Sequence, residues 1–305
     1  MITWGINALN HDASISVVEN GQLMFSRRSS EYTGITGDHF LCPQLIEDCM
    51  NYGHMDNIVW YERPWIKKTR QLRAGQWGAA FDLDDIPSRY LKKFNVPSVP
   101  MYYLPHHLSH ASAGFLTSPF EEATVVVLDA LGEWESATIW KGQGTELTKL
   151  WSKSYPSSLG LFYSAFTKLI GYTPIGQEHL LQKNSEQGDA ERYYSRVQHY
   201  FSGVGQLRYN LHRGVRDWAD PTDEQERLDI AAAVQQVFQE QVMAIMTLAQ
   251  ELNDSQNLVY MGGCAMNSKC NLLIDPLWTL PIPGDASSSM GAALYFQKSR
   301  ITWPN

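Results

Sequence analysis

The chain carries one local plan twice, and that repetition constrains its fold more than any other feature. Residues 2–8 read as a strand that leads into the acidic loop Asn10-His11-Asp12. A second strand, 13–18, follows, and Asn20-Gly21 separates it from a third, 22–26. Asn-Gly between two such runs is the strongest short-range hairpin signal, because both residues tolerate the positive φ of a tight two-residue turn. The plan returns as a strand at 125–128, an acidic loop Asp129-Ala130-Leu131-Gly132-Glu133, a strand at 136–140, a turn at 142–144 and a strand at 147–152. Strand, acidic loop, strand, turn, strand, twice over, predicts an internally duplicated α/β chain. A first lobe is expected over 1–122, with a basic and aromatic insertion near 62–95, and a second over 123–305.

Helices fill the spaces between these strands. Pro105 suits a first helical turn and Pro119 marks an end, so 105–118 reads as a helix. Residues 159–170 read as a mostly buried helix stopped by Gly171. A long helix follows Pro221, where Thr222 and Gln225 make a capping-box pattern. Its apolar stripe runs through Val234, Val237, Phe238, Val242, Ile245, Met246, Ala249 and Leu252, and is core. A strand at 257–262 then enters Gly262-Gly263-Cys264-Ala265-Met266-Asn267. A glycine pair between strand and helix lets backbone amides approach a phosphate or a nucleobase, although tight packing selects glycine there as well. The last loop, from Pro283 to Gly291, holds Asp285 and the small residues Ser287, Ser288 and Ser289 ahead of a helix at 292–297.

The chemistry concentrates in His106-His107-Leu108-Ser109-His110. Imidazoles at i and i+4 share one helix face and can grip a single metal ion. Asp129 ends an apolar strand, where loops build sites, and is a natural third ligand; Asp285 is a second acid of the same kind. A zinc-protease reading fails, because it requires Glu directly after the first His and His107 stands there.

Charge and cysteine usage narrow the setting. A net charge of −8 argues against indiscriminate grip on a nucleic-acid backbone. A local basic patch is still expected at Arg63, Lys67, Lys68, Arg70 and Arg73 among Trp65 and Trp77, either as a binding surface or as a solvated, mobile flap. Cys42, Cys49, Cys264 and Cys270 show neither CxxC spacing nor a secreted framework, which points to a reducing compartment. The N-terminus lacks a signal-peptide pattern, and no apolar run approaches the ~20 residues of a membrane span, so a cytoplasmic location without membrane contact is expected.

Several of these motifs together resemble the NodU/CmcH-type carbamoyltransferases: His106 to Ala113, Ser158 to Ser164, Gly262 to Asn267, Pro283-Gly284-Asp285 with Gly291-Ala292-Ala293, and the opening Gly5-Ile6-Asn7 with His11 to Ser14. The resemblance covers the family's N-terminal half, which is similar to the tRNA threonylcarbamoyl-adenosine transferases. It implies the duplicated fold of actin, sugar kinases and Hsp70, with nucleotide held between two lobes. It further implies that His106, His110, Asp129 and Asp285 hold a divalent metal, iron(II) first, with manganese, zinc or magnesium as alternatives. The metal would orient carbamoyl-adenylate, made from ATP and carbamoyl phosphate, and polarise its carbonyl. Gly262, Gly263, Asn267, Ser287, Ser288 and Ser289 would cradle the adenylate, and His11 and Asp12 would handle the acceptor proton or the carbamoyl group.

The chain departs from the family pattern in three places. Asp129-Ala130 replaces the usual Asp-Gly, and Gln177 to Gln182 replaces a Gly-Lys-x-Met-Gly-Leu-Ala stretch. Relatives also continue beyond this length into a YrdC-like domain that makes carbamoyl-adenylate, so a partner synthetase subunit is expected, and no turnover by this chain from ATP and carbamoyl phosphate alone. For the acceptor, the compact aromatic-rich chain favours a viral protein acting on the 5-hydroxymethyl group of hydroxymethylcytosine in phage DNA or nucleotide. There Trp60, Tyr61 and Trp65 would stack a base and the basic stretch would meet its phosphates. A sugar or antibiotic hydroxyl, or a non-catalytic scaffold subunit, are the alternatives.

Overall fold

The computed structural model describes residues 1–303. The first sheet contains β1 (Ile2–Asn7), β2 (Ser14–Glu19), β3 (Gln22–Arg28), β4 (Asn57–Trp60) and β5 (Met101–Tyr103), in the order β3-β2-β1-β4-β5. β1 to β3 form an antiparallel meander, whereas β4 runs parallel to β1 and β5 parallel to β4. The second half begins with the meander β6 (Glu122–Gly132), β7 (Glu135–Gln143) and β8 (Glu146–Ser154). A small hairpin, β9 (Phe201–Gly203) and β10 (Gln206–Leu207), forms a sheet of its own, and β11 (Leu258–Met261) lies parallel to β6. The second sheet therefore reads β11-β6-β7-β8. Third, second, first, fourth: the strand order of one half is repeated in the other. This is the duplicated fold of actin, sugar kinases and Hsp70.

Side-chain alternation shows how the layers stack. In β6, Val126 and Leu128 enter one core, while Val125 and Val127 enter another. Both faces of that strand are covered, which explains its unbroken apolar run. The first of these cores is built with helices Leu159–Leu169 and Glu224–Leu252, through Phe162, Phe166 and Phe238 among others. The other core contains the His106–Thr117 and Ser288–Phe296 helices, which pack on each other between the two sheets. In the first sheet, Trp4, Ile6, Ile15 and Val17 meet the Pro43–Met50 helix. The opposite face offers small polar residues to the 288–296 helix, and Ser14 and Ser16 both hydrogen-bond the Ser289 hydroxyl at 2.9 Å. The two central helices approach almost backbone to backbone. A Cβ on Gly291 would fall 2.0 Å from the Ser109 carbonyl oxygen, so no side chain fits there.

Two local expectations change. The long helix is capped one residue later than the capping box predicts: the Asp223 side chain accepts from the Glu226 amide at 2.8 Å, and Glu226 in turn accepts from the Thr222 amide at 2.8 Å. Carboxylates replace the hydroxyl and amide because they are stronger acceptors.

The basic stretch is an ordered helix and not a mobile flap, with part of its charge turned inward. Residues Pro64–Arg73 form the helix; Arg63, Lys67, Lys68 and Arg70 are paired within the fold, whereas Arg73 is exposed. Arg63 pairs with Glu133, and Lys67 donates to Glu62 at 2.7 Å. Lys68 pairs with Asp85, and Arg70 donates to the Glu133 carbonyl at 3.1 Å and to Gln76 at 3.0 Å. Trp60 and Tyr61 are buried, so they stack no base; Trp65 and Trp77 alone of this group are exposed.

Candidate metal centre

The C-terminal ends of β1, β4, β6 and β11 all deliver loops to one place, as expected where parallel strands carry a site. The 106–117 helix begins there and presents His106 and His110 one turn apart. Asp129 arrives on β6 and Asp285 on the short helical turn before the 288–296 helix. His106 Nε2 lies 3.0 Å from Asp129 Oδ2, and His110 Nε2 lies 3.1 Å from Asp285 Oδ1. The two Nε2 atoms are 3.1 Å apart. One donor atom from each of the four residues falls within 4.8 Å of the others, and all four residues are buried.

This donor set fits a divalent cation. Ligands at about 2.0–2.2 Å from a shared centre stand roughly 3–4 Å from one another, the spacing seen here. Two imidazoles and two carboxylates suit iron, manganese or zinc better than they suit a hydrated magnesium ion. Electrostatics points the same way. Burial raises the Asp285 carboxyl, but His11 and His106 outweigh it and hold it down to about 2. Burial likewise opposes ionisation of Asp129, yet the His106 hydrogen bond and the facing His110 hold it well below the carboxylate range. Burial lowers His106, but Asp285 and Asp129 pull it up to about 9. Two ionised carboxylates packed this closely require positive charge between them, which protonated histidines or a bound cation can supply.

The surrounding contacts hold the ligands in place. Asp129 Oδ1 accepts from the Ala130 amide at 2.8 Å and from the Gly263 amide at 3.2 Å, which leaves Oδ2 to face the histidines. Gly132 gives His106 room, since a Cβ there would sit 2.1 Å from the ring. Asn10 donates to Asp285 Oδ2 at 2.9 Å, and Asn7 donates to the Asp285 carbonyl at 3.0 Å. The middle histidine, His107, faces away: its Nδ1 meets the Thr138 hydroxyl at 2.9 Å, and burial first, then His106, keeps its ring neutral.

The remaining residues singled out in the sequence occupy distinct surroundings. His11 lies beside the cluster, its Nε2 3.6 Å from Asp285 Oδ2 and its Nδ1 3.2 Å from Asp12 Oδ2. Asp285 foremost, against the opposing effect of burial, raises this imidazole to about 10. Both side chains are 27% exposed, so they reach solvent where the four buried residues do not. Gly262, with φ at 93°, and Gly263 turn the chain past Asp129. The Asn267 side chain is engaged with Gln235, exchanging hydrogen bonds of 3.0 and 3.1 Å. Ser287 bonds the Gly284 carbonyl, Ser288 lies 3.4 Å from His110 Nδ1, and Ser289 bonds Ser14 and Ser16. All three serine hydroxyls thus have partners within the fold. A cavity of about 400 Å³ opens beside Gln235 and the 268–273 segment, lined by Gly188, Gln236, Gln239, Lys269 and Leu272. Asn7, Asn10, Tyr61 and Glu62 also approach the cluster, a place the sequence did not assign to any of them: Asn7 and Asn10 stood only in the opening motif and acidic loop, and Tyr61 was expected to stack a base.

A family profile described as carbamoyltransferase N-terminus matches residues 62–294, most of the chain. The chain belongs to the carbamoyltransferase family. Among its relatives, the uncharacterized protein sll1178 of Synechocystis is 28% identical, over 97% of this chain and 58% of that protein. Nodulation protein NolNO of Sinorhizobium fredii is 23% identical, over 94% of this chain and 46% of that protein. The chain thus spans about half the length of the curated relatives it matches. Full-length HypF, solved in a phosphate- and nucleotide-bound form, superposes with a TM-score of 0.51 at 11% identity, over 97% of this chain and 55% of that one. At that identity the likeness shows the shared fold.

The cysteines Cys42, Cys49, Cys264 and Cys270 are free and buried. No helix among the described residues is long and apolar enough to cross a membrane.

Proposed function

We propose that this cleft transfers a carbamoyl group from carbamoyl-adenylate to an acceptor hydroxyl, giving an O-carbamoyl ester and AMP. The observation that carries this reading is the buried His106-His110-Asp129-Asp285 cluster lying beside the half-exposed His11. A divalent cation held by those four residues supplies Lewis-acid polarisation of the carbamoyl carbonyl. The rest of the work falls to the chain. The cavity beside Gln235 and Lys269 suits the nucleoside, with amides for base edges and Leu272 as an apolar wall. The turn at Gly262-Gly263 sets backbone against Asp129, where the Gly263 amide donates to the carboxylate at 3.2 Å. His11 is placed to receive the acceptor proton. Were the Asp285 charge engaged by a cation, it would no longer hold His11 protonated, and the neutral ring could act as a base. The acceptor oxygen bonds the carbamoyl carbon, the bond from that carbon to the phosphate oxygen breaks, and AMP leaves.

A YrdC-like unit, in the same longer protein or as a partner subunit, is the proposed source of carbamoyl-adenylate. For the acceptor, a small-molecule or sugar hydroxyl now ranks ahead of hydroxymethylcytosine in DNA, because four of the five cations of 63–73 that would have met phosphate, Arg63, Lys67, Lys68 and Arg70, are paired internally. Iron(II) is the proposed metal. The test supplies the chain with carbamoyl-adenylate from a YrdC-like synthetase and offers an aminoglycoside or hydroxymethylcytosine DNA, reading a carbamoyl mass gain. No gain on any hydroxyl, in a metal-free chain indifferent to His110→Ala, would overturn the reading in favour of a scaffold subunit.

A further inference from the structure

Glu62 stands two residues beyond β4, buried, with one carboxylate oxygen engaged and the other aimed at the metal cluster. Its Oε1 accepts from Lys67 at 2.7 Å, which neutralises the acid without exposing it. Its Oε2 lies 3.9 Å from His106 Nδ1. That nitrogen is buried and has no hydrogen-bond partner among the described residues, and neither has the neighbouring Tyr61 hydroxyl. The backbone here is tightly placed. The Tyr61 amide donates to the Ile6 carbonyl at 3.0 Å, and the Ser109 hydroxyl donates to the Tyr61 carbonyl at 2.7 Å, tying this segment to the histidine helix. A buried ring nitrogen left unpaired is destabilising, whereas a metal-ligating histidine nearly always donates its second N–H to a carboxylate or carbonyl.

We infer that Glu62 is a positioning residue for the metal centre: it accepts the Nδ1 proton of His106, so that Nε2 is the atom left for the cation. Lys67 is part of the device, since it keeps the buried carboxylate in place. The inference rests on the proposed metal site. Apoprotein is titrated with cobalt(II), reading the visible d–d bands and affinity by chelator competition, for wild type, Glu62→Ala and Glu62→Gln, with circular dichroism as the check on folding. Glu62→Ala is expected to weaken cobalt binding about 10- to 100-fold. Glu62→Gln keeps an acceptor without its charge and should lose about fivefold with shifted bands. Affinities within twofold of wild type and unchanged bands would overturn the inference while leaving the metal site standing. If Glu62→Ala does not fold, Glu62→Gln decides alone on the same criterion. A folded wild type that binds no cobalt would overturn the metal site itself, and this inference with it.

Discussion

The loops after β1 and β6 occupy equivalent places in the two halves of the duplication. Each turns through an acidic residue with left-handed backbone: Asp12 at φ 56° and Glu133 at φ 55°. The first loop stays near solvent and brings His11 and Asn10 to Asp285. The second sinks inward. Asp129 joins the buried cluster, and Glu133 turns away to take the Arg63 backbone amide at 2.7 Å as well as its guanidinium. Left-handed backbone costs a residue other than Gly about 1–2 kcal/mol, least for Asp and Asn. At Glu133 the paired arginine offsets that cost, and a buried carboxylate with such a partner ties the second lobe to the 64–73 helix. The same kind of turn residue therefore serves opposite ends: in one loop its neighbours stay open to solvent, and in the other it ties two parts of the fold together.

Four outcomes would break or sharpen that contrast. The largest is expected from Asp129→Ala, which removes a carboxylate that no neighbour replaces. The purified variant should lose its stoichiometric metal by elemental analysis, and transfer with it; retained metal would remove the buried loop from the site. His11→Ala should leave metal content intact and slow transfer by about 10²- to 10⁴-fold, the range for losing a general base, measured in single turnover with saturating carbamoyl-adenylate. Equal loss of metal and rate would erase the distinction between the loops. Glu133→Ala should cost about 2 kcal/mol in urea unfolding, below the 3–5 kcal/mol of a fully buried pair because Arg63 is 44% exposed, and should spare metal binding. The smallest effect concerns pH. His11 is raised in the folded apoprotein from 6.5 to about 10. Its contribution to stability is therefore complete below pH 6.5 and lost as pH rises through about 10. Melting temperatures of the apoprotein should fall across that window, more steeply than those of His11→Ala; parallel curves would show that Asp285 does not hold His11.

Much of the fold could be read from the sequence because the duplication is written in local signals. Hairpin turns, alternating strands and the apolar stripe of the 224–252 helix all depend on near neighbours. The placing of His106 and His110 on one face follows from their spacing alone. The residues around them do not announce themselves. Asn10 reaches Asp285 only because Leu9 and Asp12 both take positive φ, and Glu62 approaches His106 only because β4 lies parallel to β1. The basic stretch misleads for a related reason. Five cations in eleven residues look like one surface until Glu133, 70 residues away from Arg63, and Asp85 are folded against Arg63, Lys68 and Arg70. A sequence records charge, and it is tertiary pairing that decides whether the charge faces water.

The bare contact at Gly291 reaches beyond packing. His110 follows directly on Ser109, whose carbonyl Gly291 touches, and Asp285 begins the turn that leads into Gly291's own helix. The glycine works as a gauge block: the thickness of matter at that crossing sets the spacing between a histidine and an aspartate 175 residues apart in the chain. A single methyl group added there would widen the jaws of the site while leaving every ligand in the sequence.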